Sequence, residues 1–293
     1  MSRPNLHVVV GPTASGKTAT AINLAKHVDG EVVSADSMQV YKHMNIGTAK
    51  PTKMEMDGVP HHLLDVADPI DSFSVAEYTT LAGEAIQNIL ARGKTPILTG
   101  GTGFYINAVI YGTAFSCMTK NGQHEKENQL REVYIKLAQE KGAEFLHSKL
   151  LAADPDYANS LHPNNIKKVA RALSFCETTG GLFSAHNKKQ KQVGAKFNVN
   201  LQLMNVPRDE LYARINARVL GMWEAGLPDE VKHLLSIGCR PNHQSMQGIG
   251  YKEMVPYIDG IQTKEETIAK IQQATRNYAK RQDTWFRHQL RSQ

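Results

Sequence analysis

Cysteine is scarce in this 293-residue chain: Cys117, Cys176 and Cys239 stand far apart and are odd in number. That excludes a disulfide framework and a cysteine-built metal site, and reduced thiols in a cytosolic protein are expected. Long apolar runs are missing too; none approaches the roughly 18 residues that a membrane span needs. Met1-Ser2-Arg3-Pro4-Asn5 leads straight into a strand-like run, so no signal or transit peptide is expected. The last absence is positional. The strand-like stretch Thr95–Thr99 runs into Gly100-Gly101-Thr102-Gly103, where nucleotide hydrolases usually place an acid to hold Mg²⁺. A hydrophobic share of 41% with 21% charged residues is otherwise ordinary for a soluble globular protein, long enough for one large domain or two smaller ones.

What is present begins with Gly11-Pro12-Thr13-Ala14-Ser15-Gly16-Lys17-Thr18, which fits G-x-x-x-x-G-K-[ST], the phosphate-binding loop. Leu6, Val8, Val9 and Val10 make a short strand before it, and Thr18–His27 reads as a helix after it. Glycines let backbone N–H groups turn inward around an anion, the helix N-terminus adds its positive end, and Lys17 adds a point charge. Thr18 offers a hydroxyl to Mg²⁺. A second strand, Glu31–Ser34, delivers Asp36 at its carboxyl end, where open α/β sheets place their ligands. Asp36 reads either as a functional carboxylate or as a helix N-cap. The glycine-rich turn after Thr99 permits close backbone approach to a ligand, with Thr102 its one hydrogen-bonding side chain. His61 and His62 have no third ligand at metal spacing and are assigned to packing and hydrogen bonds.

Ser74–Arg92 is an amphipathic helix by spacing. From Ser116 to about Lys196 strand-like alternation disappears, while Glu125–Lys141, Glu144–Ala152 and Asn164–Thr178 read as helices. Strand character returns over Phe197–Val206, and the last third is helical again (Arg208–Ala225, Asp229–Ile237, Thr263 to the end). The expected fold is α/β, a P-loop-type parallel sheet flanked by helices. Residues 1–115 and 197–293 form this core, and 116–196 an inserted all-helical subdomain. Net charge is +6 and unevenly placed. Seven basic residues against one acid lie between Ser160 and Lys196, and five against one between Gln273 and Gln293. These read either as solvated faces or as surfaces for a polyanion larger than a nucleotide. In the final helix Arg276, Lys280, Arg287 and Arg291 fall near one face, while Ile271, Tyr278 and Trp285 recur every seven residues and are expected in the core.

Taken in order, GPTASGKT, SADSMQVY (Ser34–Tyr41), IGTAKP (Ile46–Pro51), PHHLLD (Pro60–Asp65), GGTGFY (Gly100–Tyr105), HPNN (His162–Asn165) with RAL (Arg171–Leu173), GIGYKE (Gly248–Glu253) and TRNYAKRQDTWF (Thr275–Phe286) closely resemble the bacterial tRNA dimethylallyltransferases. The resemblance implies transfer of a dimethylallyl group from its diphosphate to N6 of the adenosine immediately 3′ of the anticodon. It implies Asp36 as general base, Thr102 contacting the reacting groups, and Lys17 with the rest of Gly11–Thr18 on the diphosphate. Arg214 and Arg218 match the family's R-x-x-x-R, one for diphosphate and the other for diphosphate or an ion pair. The tRNA-contacting segments map to Asp36, Ser37, Met38 and Gln39; to Thr102; to Lys167, Lys168, Val169, Ala170 and Arg171; to Met246, Gln247, Gly248, Ile249, Gly250 and Tyr251; and to Thr275, Arg276, Lys280 and Arg281, with Arg131 in the insertion. Lys168 stands where the family usually has Arg, and Lys cannot make a bidentate fork to phosphate. Mg²⁺ as cofactor, the anticodon stem-loop as partner, a cytoplasmic monomer and no membrane complete the expectation. The rivals are an ATP-dependent small-molecule kinase and a non-catalytic RNA-binding NTPase, both of which use such a loop on ATP.

Overall fold

In the structure, a computed structural model, residues 3–112, 123–191 and 194–290 are described; Cys117 and Arg291 lie outside them. The chain divides into two units, 1–112 with 195–293, and 113–194.

In the first unit β1 (Asn5–Val10) leads into α1 (Lys17–His27), then β2 (Gly30–Ser34), the short α2 (Lys53–Met56), β3 (His61–His62), α3 (Val75–Ala91), β4 (Thr95–Gly100) and α4 (Gly103–Tyr111). The second unit holds α5 (Gln123–Lys141), α6 (Ala143–Ala153), α7 (Pro155–Ala158), α8 (Ile166–Thr179) and α9 (Phe183–Lys191). The chain returns to the first unit with β5 (Asn198–Leu203), α10 (Arg208–Glu224), α11 (Leu227–Ser236), α12 (Tyr251–Ile258) and α13 (Lys264–Gln289).

The five strands form one sheet in the order β3-β2-β4-β1-β5, every pair parallel. Their β-branched runs are explained by burial on both faces, as parallel sheets require. Leu6, Val8 and Val10 pack to one side, under Tyr78, Ala82, Ile86 and Ile89 of α3. Val9, Val32 and Ile97 pack to the other, under Ala21, Ile22 and Ala25 of α1. Each of those strand residues is at most 1% exposed. Ser74 and Glu77 close α3 with a reciprocal capping box. At the sheet edge His62 Nε2 and Arg92 Nη1 and Nη2 bind Glu31, at 2.5–2.8 Å. Arg92 above all holds that buried carboxyl down to about 2. So His62 serves a carboxylate, and no metal-binding group of three side chains occurs among the described residues. No described helix is long and apolar enough to cross a membrane.

Within the second unit, Leu146, Leu150, Val169, Ala170, Leu173 and Phe183 form a separate apolar core. Buried Asp154 caps α7 through Tyr157 N and accepts Ser184 N at 2.7 Å, tying α9 to it.

Three helices of eight or more residues, Gly103–Tyr111, Phe183–Lys191 and Tyr251–Ile258, lie where the sequence pattern names no element. In Gly103–Tyr111, Tyr105, Ile106, Ala108, Val109 and Ile110 are all buried, leaving no polar face to set a period. Tyr251–Ile258 is short and carries Pro256 inside it, which hides it from pattern reading.

Candidate active site

Three neighbouring strands, β2, β4 and β1, end side by side, and the loops that leave them meet over a crevice of about 500 Å³. The first loop winds tightly. Gly16 sits in the left-handed region at φ 90°, and Ala14 at φ 62°. Lys17 Nζ donates to the Pro12 carbonyl at 2.7 Å. Burial lowers the Lys17 amine to about 8; the Asp36 charge opposes that shift and Arg218 adds to it. Ser15 Oγ is buried without a hydrogen-bond partner among the described residues, a hydroxyl with a proton to give.

Asp36 lines the same crevice. Its Oδ1 accepts from Met38 N at 2.9 Å and Gln39 N at 3.4 Å, so one oxygen caps the turn at 37–40. The N-cap reading is thus half right: Oδ1 caps a turn rather than a helix, and Oδ2 accepts no hydrogen bond among the described residues. Thr102 stands at the start of α4, yet its side chain does not cap that helix. Thr102 Oγ1 instead accepts from Ser37 N at 3.0 Å and donates to Ser37 Oγ at 3.3 Å. Gln39 is braced by Ser34 Oγ and by the Thr48 and Ala49 carbonyls.

The glycine-rich turn admits close approach, but by the protein itself. A Cβ at Gly101 would lie 2.2 Å from Gln282 Nε2, and one at Gly103 2.3 Å from the Trp285 ring. Both side chains come from α13, and α13 supplies what pattern reading missed. Tyr278, expected in the core with Ile271, lines the crevice instead. Its hydroxyl meets the Thr102 and Gln282 side chains, and burial, with the Asp36 charge, pushes it up to about 12. Gln282 accepts the Thr13 amide at 2.8 Å and donates to the Gly101 carbonyl at 2.9 Å. The signal was the four-residue spacing of Tyr278 and Gln282, which puts a phenol and an amide on one helix face.

The two arginines separate. Arg218 lines the crevice with Nη1 3.5 Å from Thr13 Oγ1, whereas Arg214 pairs with Glu210 on its own helix at 2.5 Å. Of the segments expected to meet RNA, Lys167, Lys168 and Arg171 are exposed on α8, with the Arg171 guanidinium 5.7 Å from the Phe183 ring. Val169 and Ala170 are 0% exposed, as are Met246 and Tyr251. As a correction, these four side chains are packing groups, out of reach of a macromolecule. Tyr251 donates to Glu230, whose carboxylate also gathers the Asn45, Ile46 and Gly47 amides. Gly248 and Gly250 are buried, Met38 rests against Gly248, Ile249 is half-buried and Gln247 exposed. Thr275 Oγ1 turns back to the Ile271 carbonyl, and Arg276 is held by Asn216 and Gln273. Lys280 and Arg281 are exposed. Arg131 Nη2 pairs with Glu127 at 3.2 Å, and its Nε is buried without a hydrogen-bond partner among the described residues.

Thr18 is exposed at the crevice, and Asp36 and Glu55 also line it. Mg²⁺ commonly takes one or two protein oxygens and completes its shell from substrate phosphates and water, so this sparse donor set fits it.

Fold and crevice together define an α/β protein of P-loop-like fold, with a loop of phosphate-binding pattern and a carboxylate lining one crevice and no acid at the end of β4. The chain belongs to the IPP transferase family, whose model matches residues 39–289. The tRNA dimethylallyltransferase of Bacillus subtilis (strain 168) is 47% identical over 283 residues, 97% of this chain and 88% of that protein. The crystal structure of the full-length tRNA isopentenylpyrophosphate transferase from Bacillus halodurans superposes with a TM-score of 0.71 at 45% identity, over 98% of this chain and 88% of that one. A eukaryotic dimethylallyltransferase, captured acting on tRNA, gives a TM-score of 0.81 at 30% identity, over 97% and 70%.

Proposed function

We propose that this protein transfers the dimethylallyl group of dimethylallyl diphosphate to N6 of the adenosine immediately 3′ of the anticodon in tRNA, releasing diphosphate. The observation that carries the reading is that Lys17 and Asp36 line one crevice from the ends of two strands, with Thr102, after the strand between them, bonded to Ser37 beside Asp36. The allylic C–O bond breaks with its electron pair going to the diphosphate, while the N6 lone pair forms the new N–C bond. Loop amides, Lys17 and Arg218 receive the charge that develops on the leaving group. Asp36 takes the N6 proton, since an exocyclic adenine amine is a poor nucleophile until that proton departs. Its capped Oδ1 fixes the carboxylate, and Oδ2 is the oxygen available to the proton. Ser37 and Thr102 position the base, which must leave the anticodon-loop stack to enter.

Mg²⁺, held through Thr18 and the diphosphate, would supply further neutralisation of the leaving group. Arg218, rather than Arg214, is the arginine for diphosphate on this reading. Lys167, Lys168, Arg171, Lys280 and Arg281 would meet tRNA phosphates. Action on the anticodon stem-loop, as a cytoplasmic monomer, belongs to the same proposal. The kinase and NTPase rivals are not favoured: a small-molecule kinase would not require the two basic regions or the acid-free turn after β4, and a non-catalytic NTPase gives Asp36 and Thr102 no chemical role.

The test is nucleoside analysis of unmodified tRNA incubated with the protein, Mg²⁺ and dimethylallyl diphosphate. N6-dimethylallyladenosine is expected, with no consumption of ATP. ATP turnover without a prenylated nucleoside would overturn the reading.

A further inference from the structure

The Thr13 amide belongs to the phosphate loop, yet its hydrogen bond is already made inside the protein, to Gln282 Oε1 at 2.8 Å. The far end of that side chain donates from Nε2 to the Gly101 carbonyl at 2.9 Å. Gln282 is 6% exposed, and the Gly101 backbone lies so close that no Cβ fits between them. A buried amide satisfied at both ends by backbone cannot swing aside without orphaning an N–H and a C=O. The bridge is therefore a fixed part of the crevice wall, delivered one turn beyond Tyr278 on α13.

A phosphate chain is held in such a loop by inward-facing N–H groups, and each amide has one proton to give. At Thr13 that proton is taken. The group that takes it is a carbonyl oxygen, whose partial negative charge repels a further phosphoryl group where a longer chain would need a donor. Arg218 stands at the same residue through Thr13 Oγ1. It offers its charge to a chain that stops short of the bridge.

We infer that Gln282 sets the length of the phosphate chain: by closing the loop at Thr13 it makes the crevice accept a diphosphate and refuse a triphosphate. The inference rests on the proposed use of the loop for a diphosphate, and it gives a physical reason why a loop of nucleotide-binding pattern would not use ATP.

The test titrates inorganic diphosphate and inorganic tripolyphosphate, each with Mg²⁺, in competition with dimethylallyl diphosphate on the intact protein, so that basic surfaces elsewhere do not count. The wild type should bind diphosphate about tenfold or more tightly than tripolyphosphate. Gln282→Ser, which opens the Thr13 end, should bring the two within about threefold by gaining tripolyphosphate affinity. Equal affinities in the wild type, or an unchanged ratio in a folded Gln282→Ser protein, would overturn the inference. Should Gln282→Ser fail to fold, Gln282→Asn is compared instead, one methylene too short to bridge both backbone groups, and an unchanged ratio there counts equally against it. Failure of the underlying reading looks different: the wild type would bind neither dimethylallyl diphosphate nor inorganic diphosphate.

Discussion

α8 and α13 both present lysine and arginine outward, and their inner faces could hardly differ more. Behind Lys167, Lys168 and Arg171, α8 buries Val169, Ala170, Ala172, Leu173 and Phe175, with Ser174 bonded back to its own helix. Behind Lys280 and Arg281, α13 buries Ile271, Ala279 and Phe286 but also turns Tyr278 and Gln282 into the crevice. Similar outward charge therefore covers two different jobs. α8 packs on a core and offers a surface, whereas α13 offers a surface and forms a wall of the site. Changes inside the crevice should alter chemistry, changes on α8 should alter only RNA affinity, and α13 should do both.

The largest effect is expected at Asp36. Asp36→Asn keeps an Oδ1 for the Met38 and Gln39 amides, so the turn should hold, while the general base is lost. Single-turnover transfer should fall by about 10²–10⁴ with tRNA affinity unchanged. An unfolded variant would show that Asp36 matters mainly as a cap. Next is the pH dependence of diphosphate binding. Lys17 titrates near 8 in the free protein because burial disfavours its charge. An anion prefers the protonated amine, so affinity should be flat below pH 8 and fall above it, by up to about tenfold per pH unit. Lys17→Arg should abolish the bend. Asp36→Asn should move it to lower pH, since the Asp36 charge opposes the lowering. A bend unmoved in both variants would separate Lys17 from the ligand. On α13, Tyr278→Phe keeps the ring and removes the hydroxyl that meets Thr102 and Gln282. We expect kcat to drop about five- to tenfold, the worth of roughly one hydrogen bond, without a change in tRNA affinity. A loss of tRNA affinity alone would make α13 no different from α8.

Much of this was legible in the chain, because some signals are local. The loop is contiguous, the valine-rich strands declare a sheet buried on both faces, and Asp36 and Thr102 each follow a strand end. What was not legible depends on distant partners. Tyr278 shares a seven-residue repeat with buried Ile271, and only the packing of α13 against α10, α12 and α4 decides which of them reaches the crevice. Gln282 is an ordinary polar residue until Thr13 and Gly101, at sequence separations of 269 and 181, come within hydrogen-bond distance. Arg214 and Arg218 are equivalent as a pattern; one turn of α10 and the presence of Glu210 separate them. Burial likewise removed Val169, Ala170, Met246 and Tyr251 from any RNA-facing role for their side chains, which a motif shared over a whole segment cannot reveal.

The smallest effects should come from α8, and they test the comparison most directly. Lys167 and Lys168 are exposed and make no ion pair among the described residues. Each phosphate they neutralise would add about 0.7–0.9 to the slope of log affinity against log salt. The double variant Lys167→Ala with Lys168→Ala should therefore lower that slope by up to about two, weaken tRNA binding a few-fold near physiological salt, and leave single-turnover rates at saturating tRNA unchanged. Lys280→Ala with Arg281→Ala should lower the slope similarly and also slow transfer. The reason is geometric: the Arg281 guanidinium lies 5.7 Å from the Tyr278 ring, so its loss disturbs a side chain in the crevice wall. If both double variants changed only affinity, the inner face of α13 would be decoupled from its outer one. If both changed the rate, α8 would have to reach the chemistry by a route its apolar inner face does not provide.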